Sequence, residues 1–268
     1  MINIKAFENI SIHPKLSAVM DLIMGVIFIF GLKEMLFNWW FVLIWLVLRA
    51  IWWFGLMFLT FYIKNIDKMK HFVFLNIFNI GFFTSLLFLE WNLSKQLLSL
   101  LLILGPSFSF YILPDKNSIL SFVSKPYRRL LLILTVAGMV GIFSSVGAVF
   151  IFKVSQIPKI IWILLISSVA SLVSVLWWQM YDLKINKKML NWGAVVFLII
   201  FELSWILSVT PIGFLIFGFI LVWFWYLLWL MVRFHLTLAG IIWKKQIPFL
   251  ITNLVLFLIF IIFVVQWI

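Results

Sequence analysis

The 268-residue chain is 66% hydrophobic and only 10% charged, with mean hydropathy +1.24; soluble domains carry about 25% charged residues, so a soluble fold is excluded. The net charge of +12 would suggest nucleic acid in a soluble protein, but these lysines sit in short loops. They are read as topology signals and contacts with anionic headgroups, with no nucleic-acid partner. The absence of cysteine excludes disulfides, thiolate catalysis and Cys-ligated metals.

Nine apolar segments follow one another, at 16–32, 39–63, 72–92, 97–113, 129–152, 160–178, 189–209, 213–233 and 248–267. Each is near the roughly 20 residues needed to cross about 30 Å of hydrocarbon. No water satisfies backbone groups there, so each run must be a helix. The expected fold is an all-α, polytopic membrane bundle of about nine helices, with residues 1–268 forming a single membrane domain. The first segment resembles a signal peptide in position, yet it carries Asp21 and runs into Leu32-Lys33-Glu34 with no small-residue cleavage site. It is expected to be a retained helix. The fourth is short and contains Gly105-Pro106, which predicts a kink or a re-entrant segment.

The basic residues alternate between gaps. The N-terminus and the loops after segments two, four, six and eight hold fifteen of the twenty Lys and Arg, and the intervening loops hold four. Cytoplasmic loops carry this excess, which predicts a cytoplasmic N-terminus, an external C-terminus and a fourth segment that crosses. Sixteen Lys against four Arg suggests an AT-rich coding sequence and a bacterial inner (plasma) membrane. Trp39, Trp40, Trp91, Trp177, Trp178, Trp243 and Trp267 fall at segment ends and predict an aromatic belt.

Segment five repeats Ala137, Gly141 and Ser145, and segment six repeats Ser167 with Ser171 and Ala170 with Ser174. Small residues every four positions let helices approach closely. Across the short 153–159 connection they predict a tight antiparallel pair, or alternatively a homodimer seam. Segments one to four share no spacing with five to eight, so an inverted-repeat transporter gains no support.

Ionisable groups inside the bilayer are expensive and mark function by default. Arg49 lies mid-segment, with Trp45, Trp52 and Trp53 at i−4, i+3 and i+4, positions suited to a cation–π cage. Glu202 in segment seven is expected at a similar depth, either paired with Arg49 or protonated and bonded to Ser204 or Tyr226. Asp21, near the start of the first segment, is expected at the interface, solvated or paired with Lys15. Asn76, Asn79 and Asn253 are expected as interhelical glue. His13, His71 and His235 are expected at the cytoplasmic boundary, bonded to headgroups or water, with no metal or haem. In the loop 114–129, Lys125, Arg128 and Arg129 are candidates for a lipid phosphate as well as a topological anchor.

No H-E-x-x-H, G-x-S-x-G, phosphate loop or aspartate-rich Mg²⁺ motif occurs. An intramembrane serine protease would need a Gly-x-Ser serine and a histidine at depth, and neither is expected. With no cofactor indicated, the pattern fits a non-enzymatic structural or interaction component that contacts lipid or another membrane protein. The alternatives are a transporter or channel using Glu202 and, last, a lipid-modifying enzyme built on Glu34 with Glu90 or on Asp21 with His71.

Overall fold

The structure, a computed structural model, describes residues 12–34, 39–60, 67–89, 91–113, 124–153, 155–181, 183–237, 240–241 and 243–263. Among these the chain is helical throughout, in nine helices: α1 (Pro14–Glu34), α2 (Trp39–Leu59), α3 (Lys68–Phe88), α4 (Asn92–Tyr111), α5 (Ser124–Phe152), α6 (Lys159–Met180), α7 (Lys187–Val209), α8 (Phe214–Leu236) and α9 (Trp243–Phe263). Eight are long and apolar enough to cross a membrane, and the apolar stretch Ile44–Leu59 within α2 is the shorter ninth. The protein is a polytopic helical membrane protein.

Local signals set the helix ends. Asp67 accepts from the Met69 and Lys70 amides at the start of α3, and Asn186 accepts from Met189 N at the start of α7. These side chains satisfy donors that a first turn leaves free. Thr210 ends α7 with extended backbone, as the ring of Pro211 demands of the residue before it. Pro106 does not break α4. The helix runs continuously through it for 20 residues, about 30 Å at helical rise, so the fourth segment is neither short nor interrupted.

Two compact units make up the chain, residues 1–138 and 139–268, with the division falling inside α5. In the first, α1 lies along α4 and α2, and α3 along α2 and α4. α1 turns Ser17, Asp21, Gly25 and Ile29 inward, one residue per turn. α3 and α5 cross in backbone contact: a Cβ added to Gly138 would lie 2.6 Å from Ile77 O and Phe78 Cα, and one on Gly81 would collide with Gly138 O. Phe74, Phe78, Phe83, Phe110 and Tyr127 are among the fully buried aromatic residues of this unit.

In the second unit, α6 packs on α7 and α8, and α7 on α8. The small residues of α6 serve these neighbours. Ser171 Oγ donates to Gly193 O on α7 at 2.8 Å, and Trp225 Nε1 on α8 reaches Ser174 Oγ at 2.9 Å and Ala170 O at 3.1 Å. On α5 the close approach is to α8, where a Cβ on Gly218 would lie 2.6 Å from Ser144 N. Spacing identified small faces but not which helix would fill them.

The belt expectation divides. Trp91 and Trp243 are exposed at helix ends, whereas Trp177 and Trp178 are fully buried. Trp178 donates to Trp229 O at 3.2 Å, and Trp177 stands edge-on to the Trp229 ring, so this pair forms core. The side chains of Trp39 and Trp40, and all of Trp267, lie outside the described residues.

Candidate functional site

The most concentrated polar chemistry lies in the first unit, around a carboxylate that the sequence places at the interface. Asp21 stands seven residues beyond Pro14, about 10 Å along α1, and is fully buried. It is neither solvated nor paired with Lys15. Its Oδ1 accepts from Trp53 Nε1 at 2.9 Å and Trp52 Nε1 at 3.1 Å. Arg49 Nη2 lies 3.3 Å from the same oxygen and 3.5 Å from Oδ2. From α4, Ser107 Oγ closes on Oδ2 at 3.0 Å. Four donor groups from two helices thus converge on one carboxylate. Without water to stabilise the charge, donors must come from the protein, and indoles supply them without adding charge of their own.

Arg49 takes Asp21 as its carboxylate, in place of Glu202. Two contacts set α1 against α2. Ser17 and Thr60 hydroxyls meet at 2.7 Å, and Ile12 N donates to Leu59 O, which puts the start of α1 beside the end of α2. From that meeting point Asp21 lies four residues along α1 and Arg49 eleven along α2, about 6 Å and about 16 Å at helical rise, and the long Arg49 side chain spans the difference. Gly25 clears the space between them: a Cβ there would sit 3.3 Å from Arg49 Nη2. The guanidinium lies over Trp53 at 4.7 Å and Phe28 at 5.4 Å, so the expected cage forms in part. Trp45 is not in it. Its ring stacks on Phe83 at 4.6 Å, and its Nε1 donates to Phe28 O at 3.0 Å.

Ser107 is a partner that the sequence reading does not single out, and Gly105-Pro106-Ser107 has the Gly-x-Ser form that reading does not expect. Its single hydroxyl proton faces two acceptors, Asp21 Oδ2 and Ile103 O at 2.9 Å. The ionised oxygen is the stronger acceptor.

His71 also departs from expectation. It is buried one turn into α3, with Nε2 2.9 Å from Ser109 Oγ and its ring against Tyr127 and Phe110. A histidine and a serine in contact resemble a nucleophile with its base, but the polarity is reversed. Ser109 Oγ points its proton at Pro106 O, 2.6 Å away, which leaves the hydroxyl oxygen to accept from the imidazole. Both residues are sealed from solvent. A general base must instead receive the nucleophile's proton at a place a substrate can reach. His13 and His235 are exposed, with His13 Nδ1 accepting from Lys15 N and His235 set against Trp192.

The second unit carries the remaining candidates. Glu202 is exposed on α7 and makes no ion pair or hydrogen bond among the described residues. Ser204 donates to Ile200 O instead. Tyr226 is half-buried against Trp229. Arg233 lies over Tyr181 at 4.4 Å and Trp229 at 5.5 Å. Lys125 and Arg129 are exposed and Arg128 half-buried at the start of α5; residues 114–123 and Glu90 lie outside the described residues, as does the Glu34 side chain. The asparagines bond within their own helices, Asn76 to Phe72 O and Asn253 to Phe249 O, and buried Asn79 Nδ2 has no partner among the described residues. They do not act as glue between helices. No group of three His, Cys, Asp or Glu that could hold a metal ion occurs among the described residues.

Compared with protein-family models, curated proteins and solved structures, the chain matches none.

Proposed function

We propose that this protein is a non-enzymatic structural or interaction component of the membrane, with the Asp21–Arg49 bridge as an internal brace. The observation that carries this reading is saturation. Asp21 is fully buried, and both its oxygens are held by Trp52, Trp53, Ser107 and Arg49. A transport site must exchange partners during its cycle, and a catalytic carboxylate must face a substrate. A carboxylate whose ligands all come from its own unit does neither; it ties α1, α2 and α4 together. The loop lysines support an inner (plasma) membrane of a bacterium with the N-terminus inside, and contacts with anionic headgroups through Lys125, Arg128 and Arg129.

One observation favours the transporter reading, namely the exposed Glu202 within α7. Purified protein in proteoliposomes containing a pH-sensitive dye discriminates the two. Under an imposed proton gradient and membrane potential, leakage should equal that of protein-free vesicles. Flux above that level, abolished by Glu202→Gln, would overturn the structural reading.

A further inference from the structure

Glu202 has no partner among the described residues, and its position makes that costly. α7 spans 23 residues, and Glu202 lies seven residues before its end at Val209, about 10 Å along the axis. A glutamate near a helix end can bend toward headgroups, but Cα–Cβ bonds tilt toward the helix N-terminus. For Glu202 that direction leads away from the nearer boundary and deeper into the apolar layer. The flanking face is apolar: Leu198, Trp205, Ile206 and Val209 are all exposed around it. Across the helix, Met189, Gly193, Val196, Ile200 and Ser204 form the buried side against the rest of the unit. The carboxylate therefore sits in the middle of the outward stripe of α7.

Within the described spans, the one basic side chain as deep as this is Arg49, and Asp21 already holds it. A second copy of the chain would bring a like charge to this stripe. No described residue of this chain supplies the complementary cation, which points to a partner.

We propose that the α7 face centred on Glu202 docks a transmembrane helix of another protein, one that presents a lysine or arginine at matching depth. This rests on the interaction-component reading and names the chemistry of the partner. Leu198, Ile206 and Val209 form an apolar surface on either side of the carboxylate, and Trp205 adds a ring for the cation's stem. The ion pair sets register along the helix, as a polar group in an apolar seam does.

The probe is a synthetic single-span leucine-rich peptide with lysine at its centre, compared with the same peptide carrying leucine there. Labelled peptide and labelled full-length protein are mixed in phosphatidylcholine vesicles, and association is followed by energy transfer. The lysine peptide should associate about tenfold more tightly than the leucine peptide, and Glu202→Gln should remove the difference. Glu202→Lys should transfer the preference to a peptide with central glutamate, which tests the charge pairing without relying on one variant. Equal association of both peptides overturns the proposal, and so does cross-linking of a photoreactive residue at position 202 to this chain itself. The flux assay separates the two failures: flux dependent on Glu202 defeats the underlying reading, while a silent flux assay with equal association defeats only the docking surface.

Discussion

Removing one half of the Asp21–Arg49 bridge leaves the other charge buried without compensation, and that sets the expected cost. Asp21→Leu and Arg49→Met should each lower stability by about 3–5 kcal/mol, read as loss of the monodisperse peak after heating in detergent. The double variant, Asp21→Leu with Arg49→Met, removes both charges at once. It should recover much of the loss, short of wild type, because Trp52 and Trp53 keep N–H groups without an acceptor. If the double variant is as unstable as the singles added together, the two residues do not act as a pair. Ser107→Ala removes one of the donors and should cost about 1–2 kcal/mol. Depth in sequence pointed to Arg49 and its tryptophans, because an arginine ten residues inside an apolar run is conspicuous. It misplaced Asp21, which stands near enough to a helix end to be read as solvated. Which residues come within reach of each other depends on how α1 meets α2, and the Ser17–Thr60 contact that fixes this joins two unremarkable hydroxyls far apart in the chain.

At the level of helix pairs, glycine decides how near two backbones can come. Gly81 and Gly138 leave no room for a methyl group on either side of the α3–α5 crossing. Gly81→Ala and Gly138→Ala should therefore each cost at least the roughly 1–3 kcal/mol typical of overpacking, measured by the same heating assay. Gly55→Ala is the control: nothing lies within 4 Å of a Cβ at that position, so it should be neutral or mildly stabilising, as glycine is a poor helix former. Equal loss for all three would mean that the α3–α5 crossing is not a close backbone contact. Helix existence and approximate ends were legible from apolar run length alone, since the bilayer leaves the backbone no alternative. Helix partnership was not. The stripe Ala137, Gly141 and Ser145 led to the right helix, but the residue in backbone contact is its neighbour Gly138. A four-residue spacing gives a face to within a fraction of a turn, whereas the partner is chosen by tertiary packing.

Across the whole molecule, the charge pattern predicts which loops share a side, and α4 is the element on which that prediction turns. Were it re-entrant, every later loop would be inverted. A continuous helix of 20 residues through Pro106 is long enough to cross, and crossing restores the alternation of basic loops. Because the chain has no cysteine, single cysteines report the outcome directly. Substituting lysines would itself weaken the topology signal, so uncharged exposed positions are preferable: Asn92 and Gln156 on one expected side, and Pro126, Ile185 and Thr237 on the other. In sealed vesicles of known orientation, a membrane-impermeant maleimide applied from outside should label Asn92→Cys and Gln156→Cys at once. It should reach Pro126→Cys, Ile185→Cys and Thr237→Cys only after the membrane is opened. A re-entrant α4 predicts the opposite for every position after it while leaving Asn92→Cys unchanged. Gln156→Cys would then be sheltered and Ile185→Cys labelled, and that single reversal would refute the crossing. The expected pattern requires the basic loops to hold their side through all five positions, because moving a cluster such as Lys184, Lys187 and Lys188 across the hydrocarbon core would cost about 2.5–3.5 kcal/mol for each charge even on the lowest insertion scale.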